Sequence, residues 1–343
     1  MSARAAGRAG RRAGQDRRVR LHVDNCRKYD QVFWVTPERY EAAARRHPAL
    51  ARRVEATIGW DLEGFDEAMK AAEAFVGWEF DRRDLAARAP RLRWIHLTGA
   101  GIEHVLPLTW LPPGVILTNN SGVHAPKAAD FAATAILMLN NRIPFHVSNQ
   151  RQARWEQRFN GPVTGKTLLI VGVGAMGGAA ARSAKALGLR VLGVRRSRRP
   201  HPSVDRMFGP DQLDRLLPRA DFVLVTAPLT SQTRGLVGRK QLDLLKPEAG
   251  LINMGRAGVV DYAALADKLT RGEIAGAVLD VFDPEPLPAD SFLWGTPNLI
   301  MTPHVSSDAP NYADRTLDLF FRNLRRHLAG QPLRNVVDPA LEY

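Results

Sequence analysis

The segment GVGAMGGAAARSAKALGLRVLGVRRS, residues 172–197, decides the fold. It directly follows the strand-like run TLLIV at 167–171, opens the helical pattern AAARSAKALG and feeds a second run, RVLGV. A strand, a glycine turn and a helix in that order make a dinucleotide-binding turn. Gly172 permits the tight bend, Gly174 lets the main chain approach a pyrophosphate, and Gly177 lets the helix lie close to the strand. The phosphates then rest on the helix N-terminus, where unpaired amides and the helix dipole favour an anion. Gly172, Gly174, Ala175, Met176 and Gly177 are therefore candidate cofactor contacts.

The second run ends on Arg195, Arg196 and Ser197, where an NAD site would place an acidic residue for the ribose hydroxyls. Arginine leaves those hydroxyls without an acceptor but suits a dianionic 2′-phosphate, through charge-assisted and often bidentate hydrogen bonds. NADP(H) is the favoured cofactor on this reading, NAD(H) the alternative, and Arg195 the first choice for the phosphate contact.

Outward from the turn, strand-like runs alternate with helical patterns, which predicts parallel sheets covered by helices. VRLHVD, VEATIGW, AFVGW, LRWIHL and VILTNN mark a first unit over about residues 19–119, with a helix at PERYEAAARRH. A long apolar helical stretch follows from His124 to Trp155. The second unit has its strands at TLLIVGVG, RVLGVR, DFVLVTA, AGLINM, GAVLDV and NLIMTPH, and a last helix follows Pro310.

Composition narrows the function classes. The only cysteine, Cys26, excludes an intramolecular disulfide and a cysteine-based zinc site, which suits a reducing cytoplasm. No apolar run reaches the roughly 18 residues that span a bilayer, so no membrane partner is expected. The formal charge is +13, yet seven of the arginines fall within residues 1–20. Residues 1–18 are expected to form a disordered basic leader. Without a zinc finger or an aromatic RNA-binding motif, nothing calls for nucleic acid or a metal.

Four further stretches, LTGAGIEHV, NMGRAGVVD, VLDVFDPEPLP and TPHVSS, resemble the D-isomer-specific 2-hydroxyacid dehydrogenases, over nearly the whole chain from about residue 21. The resemblance implies an α/β protein of two Rossmann-like or flavodoxin-like domains, the dinucleotide-binding domain (120–308) inserted into a substrate domain (19–119 plus 309–343). It implies an NAD(P)-dependent reductase of small 2-oxo acids, nearest to a glyoxylate or hydroxypyruvate reductase. It also implies a homodimer, with the helix near residues 125–155 at the interface.

Such a reaction needs a cation for the carboxylate, a proton donor for the developing alkoxide, and a group that keeps that donor charged. Arg256 lies in a Gly-Arg-Ala-Gly turn at a sheet's carboxyl edge, where its planar fork can meet a carboxylate. The resemblance makes His304 the acid and base, with His96, His104 and His124 as rivals, and makes Glu285 the carboxylate that charges it. It places Gly99, Ala100 and Gly101 on the substrate carboxylate, Asp280 on the nicotinamide carboxamide and Thr230 beside the cofactor. Ala257 and Asp130 depart from the usual glycine and glutamate. Other classes sharing the fold are a cofactor-sensing corepressor and a formate dehydrogenase, the latter typically with glutamine in place of Glu285.

Overall fold

The computed structural model describes residues 18–342. Apart from Arg18, the basic leader lies outside them. The chain divides into two compact units: residues up to Val123 with those from Ala309 onward, and His124–Asp308 between them. The first boundary falls at His124 instead of 120 because Asn120 belongs with the first unit. Its Nδ2 donates to Thr98 O and to Thr316 Oγ1, both at 2.7 Å.

The first unit is a parallel sheet of β1 (Val19–Asn25), β2 (Val54–Trp60), β3 (Ala74–Gly77), β4 (Trp94–Leu97) and β5 (Ile116–Thr118), in the order β2-β1-β3-β4-β5. Strands buried on both faces read as continuous apolar runs, which is why AFVG and the neighbouring runs were legible. The helix Tyr312–Leu328 lays Ala313, Leu317, Phe320, Phe321 and Leu324 on one face, against Leu21, Val23, Val76 and Trp94. Trp94 and Phe320 stack with ring centroids 4.8 Å apart. Truncating Phe320 to alanine would cost about 3–5 kcal/mol. The opposite face packs Phe75, Ile95, Leu97 and Leu117 against Phe65, Met69 and Leu92.

The second unit is a seven-stranded parallel sheet of β6 (Thr167–Val171), β7 (Arg190–Val194), β8 (Arg206–Phe208), β9 (Phe222–Val225), β10 (Gly250–Asn253), β11 (Gly276–Leu279) and β12 (Leu299–Met301). Its order is β12-β11-β10-β9-β6-β7-β8. Alternate residues serve opposite faces: Leu169 and Val171 join Leu192, Val223 and Leu251, while Leu168 and Ile170 lie with Ala180 and Ala184 of the helix Ala175–Ala186. The chain enters at β6, runs outward through β7 and β8, and crosses back to β9. The crevice between the carboxyl ends of β6 and β9 is therefore the topological switch point, where ligands of such sheets bind.

Two sequence expectations need correction. The short edge strand β8 was not foreseen; its three residues pair with β7 but are too few to show a period. The long helix after His124 is two helices, Ala125–Asn140 and Ile143–Arg151, broken where Arg142 takes a left-handed φ of 55°.

Candidate active site

The glycine turn sits at the switch point. Gly172 has φ 101°, and a Cβ there would lie 2.5 Å from Ala227 N and 2.6 Å from Ala227 Cα, main chain that cannot yield. A Cβ on Gly177 would lie 2.5 Å from Gly172 O, so the helix packs directly on the turn. Thr226, at the end of β9, closes the turn by donating to Gly172 O at 2.6 Å. At Gly174 a Cβ would meet nothing within 4 Å, so the main chain is open on the side toward which the helix begins. The helix has no side-chain cap, which leaves its first amides, including those of Ala175, Met176 and Gly177, for an anion. These residues fit a dinucleotide pyrophosphate.

At the end of β7 the three candidates divide. Arg195 turns its guanidinium back onto main chain, donating to Val173 O at 3.1 Å and Pro200 O at 3.2 Å, and to Arg199 O. It ties the glycine turn to the loop that follows β7. Arg196 and Ser197 are exposed beside it.

The proton-transfer candidates converge on the last two strands. Glu285 and His304 lie 19 positions apart in sequence, yet His304 Nδ1 and Glu285 Oε2 are 2.7 Å apart. Glu285 Oε1 accepts the Phe282 amide at 2.7 Å, which fixes the carboxylate. That hydrogen bond to Glu285 raises the His304 pKa above its ordinary value, against the opposing effects of burial and of the Arg256 charge. Burial alone would push the Glu285 carboxyl up, but the bonds from His304 and Phe282 hold it below its usual range. The pair therefore favours imidazolium and carboxylate.

Asp280 performs a task the sequence did not suggest. Its buried carboxylate accepts Thr302 Oγ1 at 2.5 Å, Val305 N at 2.9 Å and Ser306 N at 2.9 Å, so it clamps the loop that carries His304. His304 itself has φ 53°, a left-handed backbone held by its amide donating to Asp280 O at 2.9 Å. Such a conformation in a non-glycine residue costs on the order of 1–3 kcal/mol and is kept where the surroundings impose it.

Arg256 follows β10, half-buried, and donates to Gly255 O at 2.9 Å. Its turn is set by the fully buried Asn253, whose Nδ2 donates to Arg256 O at 3.1 Å and whose Oδ1 accepts the Gly255 amide at 3.0 Å. Asn253 also bonds Tyr262 Oη, which donates to Val281 O at the end of β11. Neither Asn253 nor Tyr262 stood out in the sequence. Thr230 lies in a turn after β9, its amide donating to Thr233 Oγ1 at 2.8 Å; no bond joins it to the other candidates.

In the first unit, Gly99, Ala100 and Gly101 form the loop after β4, at that sheet's carboxyl edge. Gly99 is required because a Cβ would lie 2.1 Å from the Trp78 ring. Of the rival histidines, His96 is fully buried, and burial lowers its pKa to about 4. Burial also lowers that of His104, whose ring packs on Trp78. Burial thus disfavours the charged form of both, whereas the bond to Glu285 favours it at His304. His124 is buried, and it is the first residue of the second unit in the chain.

Residues 133–306 match the model of the D-isomer specific 2-hydroxyacid dehydrogenase NAD binding domain. A glyoxylate reductase of Thermococcus gammatolerans is 36% identical over 245 residues, covering 69% of this chain and 73% of that one. A glyoxylate/hydroxypyruvate reductase B of Pectobacterium carotovorum is 34% identical over 75% of this chain and 82% of that one. Among solved structures, a D-isomer specific 2-hydroxyacid dehydrogenase of Xanthobacter autotrophicus, in complex with NADPH, superposes with TM-score 0.79 at 29% identity, over 95% of this chain and 100% of that one. An NADPH-dependent glyoxylate/hydroxypyruvate reductase of Sinorhizobium meliloti, in complex with NADP, gives 0.77 at 27% identity, with the same coverage. The chain belongs to the D-isomer specific 2-hydroxyacid dehydrogenase family and is an oxidoreductase that uses a nicotinamide dinucleotide.

Proposed function

We propose that the protein reduces a small 2-oxo acid of the glyoxylate or hydroxypyruvate class to the D-2-hydroxy acid, with NADPH as the favoured reductant. The observation that carries this reading is the 2.7 Å bond between His304 Nδ1 and Glu285 Oε2, in a site where the imidazole pKa is raised. A charged imidazole is what a developing alkoxide needs.

A nicotinamide dinucleotide held at Gly172, Gly174, Ala175, Met176 and Gly177 would supply hydride-transfer chemistry for the carbonyl carbon. Glu285 occupies Nδ1 of His304, which leaves Nε2–H to give its proton to the carbonyl oxygen. In the second unit Arg256 is the cation for a substrate carboxylate; in the first unit the amides of Gly99, Ala100 and Gly101 are the neutral donors for such a group. Asp280 acts through the loop it clamps, holding His304 in its strained backbone. Holding donor and cation in fixed geometry turns a bimolecular encounter into an aligned one.

Arg196 and Ser197 are the residues proposed for the 2′-phosphate, with Arg195 bracing the loop that presents them. Complexes of the two structural relatives with NADPH and NADP support this preference. A homodimer is supported by the second unit's exposed apolar groups: Trp155 and Phe159 are 94% and 88% exposed. Large apolar side chains left exposed suit a contact with a second copy. The free Cys26 supports a reducing, cytoplasmic setting.

The test is nicotinamide absorbance with NADPH and NADH separately, against glyoxylate, hydroxypyruvate, pyruvate and phenylpyruvate. Oxidation of NADPH well ahead of NADH, with one of the two small acids preferred, is the expected result. Binding of a cofactor with no acid reduced would favour the sensor class over the reductase.

A further inference from the structure

Residues 98–102, the loop after β4, carry no ionisable side chain, yet three of their carbonyls are fastened by hydrogen bonds. Thr98 O accepts two hydrogen bonds, from Asn120 Nδ2 and from Tyr312 Oη, each at 2.7 Å. Gly99 O accepts the Asn120 amide at 2.9 Å. Ala100 O accepts Asn119 Nδ2 at 2.8 Å. Three successive carbonyls are thus tied to the unit's interior, since Asn119, Asn120 and Tyr312 are all buried.

In a trans peptide the C=O of one residue and the N–H of the next point in opposite directions. Fixing the carbonyls of 98, 99 and 100 inward therefore fixes the amides of Gly99, Ala100 and Gly101 outward. Those three amides have no hydrogen-bond partner among the described residues, and all three residues are partly exposed. Successive outward amides form a concavity for an anion. The donors behind it are themselves held. Asn119 Oδ1 accepts the Ser121 amide at 3.1 Å, Asn120 Nδ2 also bonds Thr316 Oγ1, and the Tyr312 ring packs edge-on against Phe33 at 4.8 Å. All three are neutral, so none adds a charge that would compete for or repel the anion.

We propose that Asn119, Asn120 and Tyr312 are positioning residues that aim the amides of Gly99, Ala100 and Gly101 at the carboxylate of the 2-oxo acid. The proposal rests on the carboxylate role given to this loop above. Because the pre-set amides need not reorganise when the anion arrives, their alignment is felt in substrate affinity more than in the chemical step.

The test uses the full chain and its Tyr312→Phe and Asn119→Ala variants, with saturating NADPH. The readouts are kcat and KM for glyoxylate, the inhibition constant of oxalate, NADPH affinity by fluorescence, and the melting temperature. Tyr312→Phe keeps the ring and removes one donor, so it is the variant least disposed to misfold. It should raise both KM and the oxalate constant about fivefold, and Asn119→Ala about tenfold, the size expected for one or two lost hydrogen bonds. In both variants kcat and NADPH affinity should stay near wild type; a merely structural role would move the melting temperature without that split. An active wild type whose variants leave KM and the oxalate constant unchanged overturns the positioning role alone. A wild type that neither reduces a 2-oxo acid nor binds oxalate overturns the positioning role and the reductase reading together.

Discussion

At the carboxyl edge of β10, β11 and β12 the candidate groups are ionisable side chains, Arg256, Asp280, Glu285 and His304, of which His304 and Glu285 are joined at 2.7 Å while Asp280 accepts Thr302 Oγ1 at 2.5 Å. At the carboxyl edge of β4 and β5 they are main-chain amides backed by neutral asparagines and a tyrosine. The first edge can change protonation state during a reaction; the second offers a fixed field. In a proton-coupled reduction the steps that move charge belong on the first, and recognition of a group whose charge does not change belongs on the second.

Breaking the ionisable edge should have the largest effect. His304→Ala removes the proton donor, so turnover should fall about a thousandfold in a steady-state assay while NADPH affinity is kept. Next comes the backbone of the second unit. Gly172→Ala drives a Cβ to 2.5 Å from Ala227 N at φ 101°, and fluorescence titration should show NADPH affinity lower by about a hundredfold. Arg196→Ala should lower the preference for NADPH over NADH about twentyfold in kcat/KM, the loss of one charge-assisted bond. The neutral edge should respond most mildly. Gly99→Ala forces the Trp78 ring aside and tilts the first amide, raising KM for the acid about tenfold without changing NADPH affinity. A Gly99→Ala effect confined to kcat would erase the distinction between the two edges.

The same contrast explains what the sequence made legible. The glycine turn was readable because its function needs small residues at fixed spacing between a strand and a helix, all within ten positions. The paired Glu285 and His304 were reached through the family resemblance, since no local rule joins a Pro-rich loop to the end of β12. Asn119 and Tyr312 were invisible. Tyr312 bonds a carbonyl 214 positions away, and neutral polar residues have no period or charge signature to mark them. Arg195 shows what residue type leaves open. Residue type and position made it the foremost phosphate contact, but the loop folds back so that its guanidinium meets main-chain carbonyls. The strands were read well because buried parallel strands are unbroken apolar runs; β8, short and at an edge, was not.

The central claim is that an imidazolium kept charged by Glu285 donates the proton, and the pH dependence of kcat/KM for NADPH-driven reduction tests it most directly. With the His304 pKa raised by Glu285, the rate should be full below that pKa and fall as pH rises through it. Removing the carboxylate with Glu285→Gln lowers the histidine pKa, so the alkaline limb should move to lower pH and the rate at neutral pH should drop. An alkaline limb that stays in place in Glu285→Gln would contradict the account.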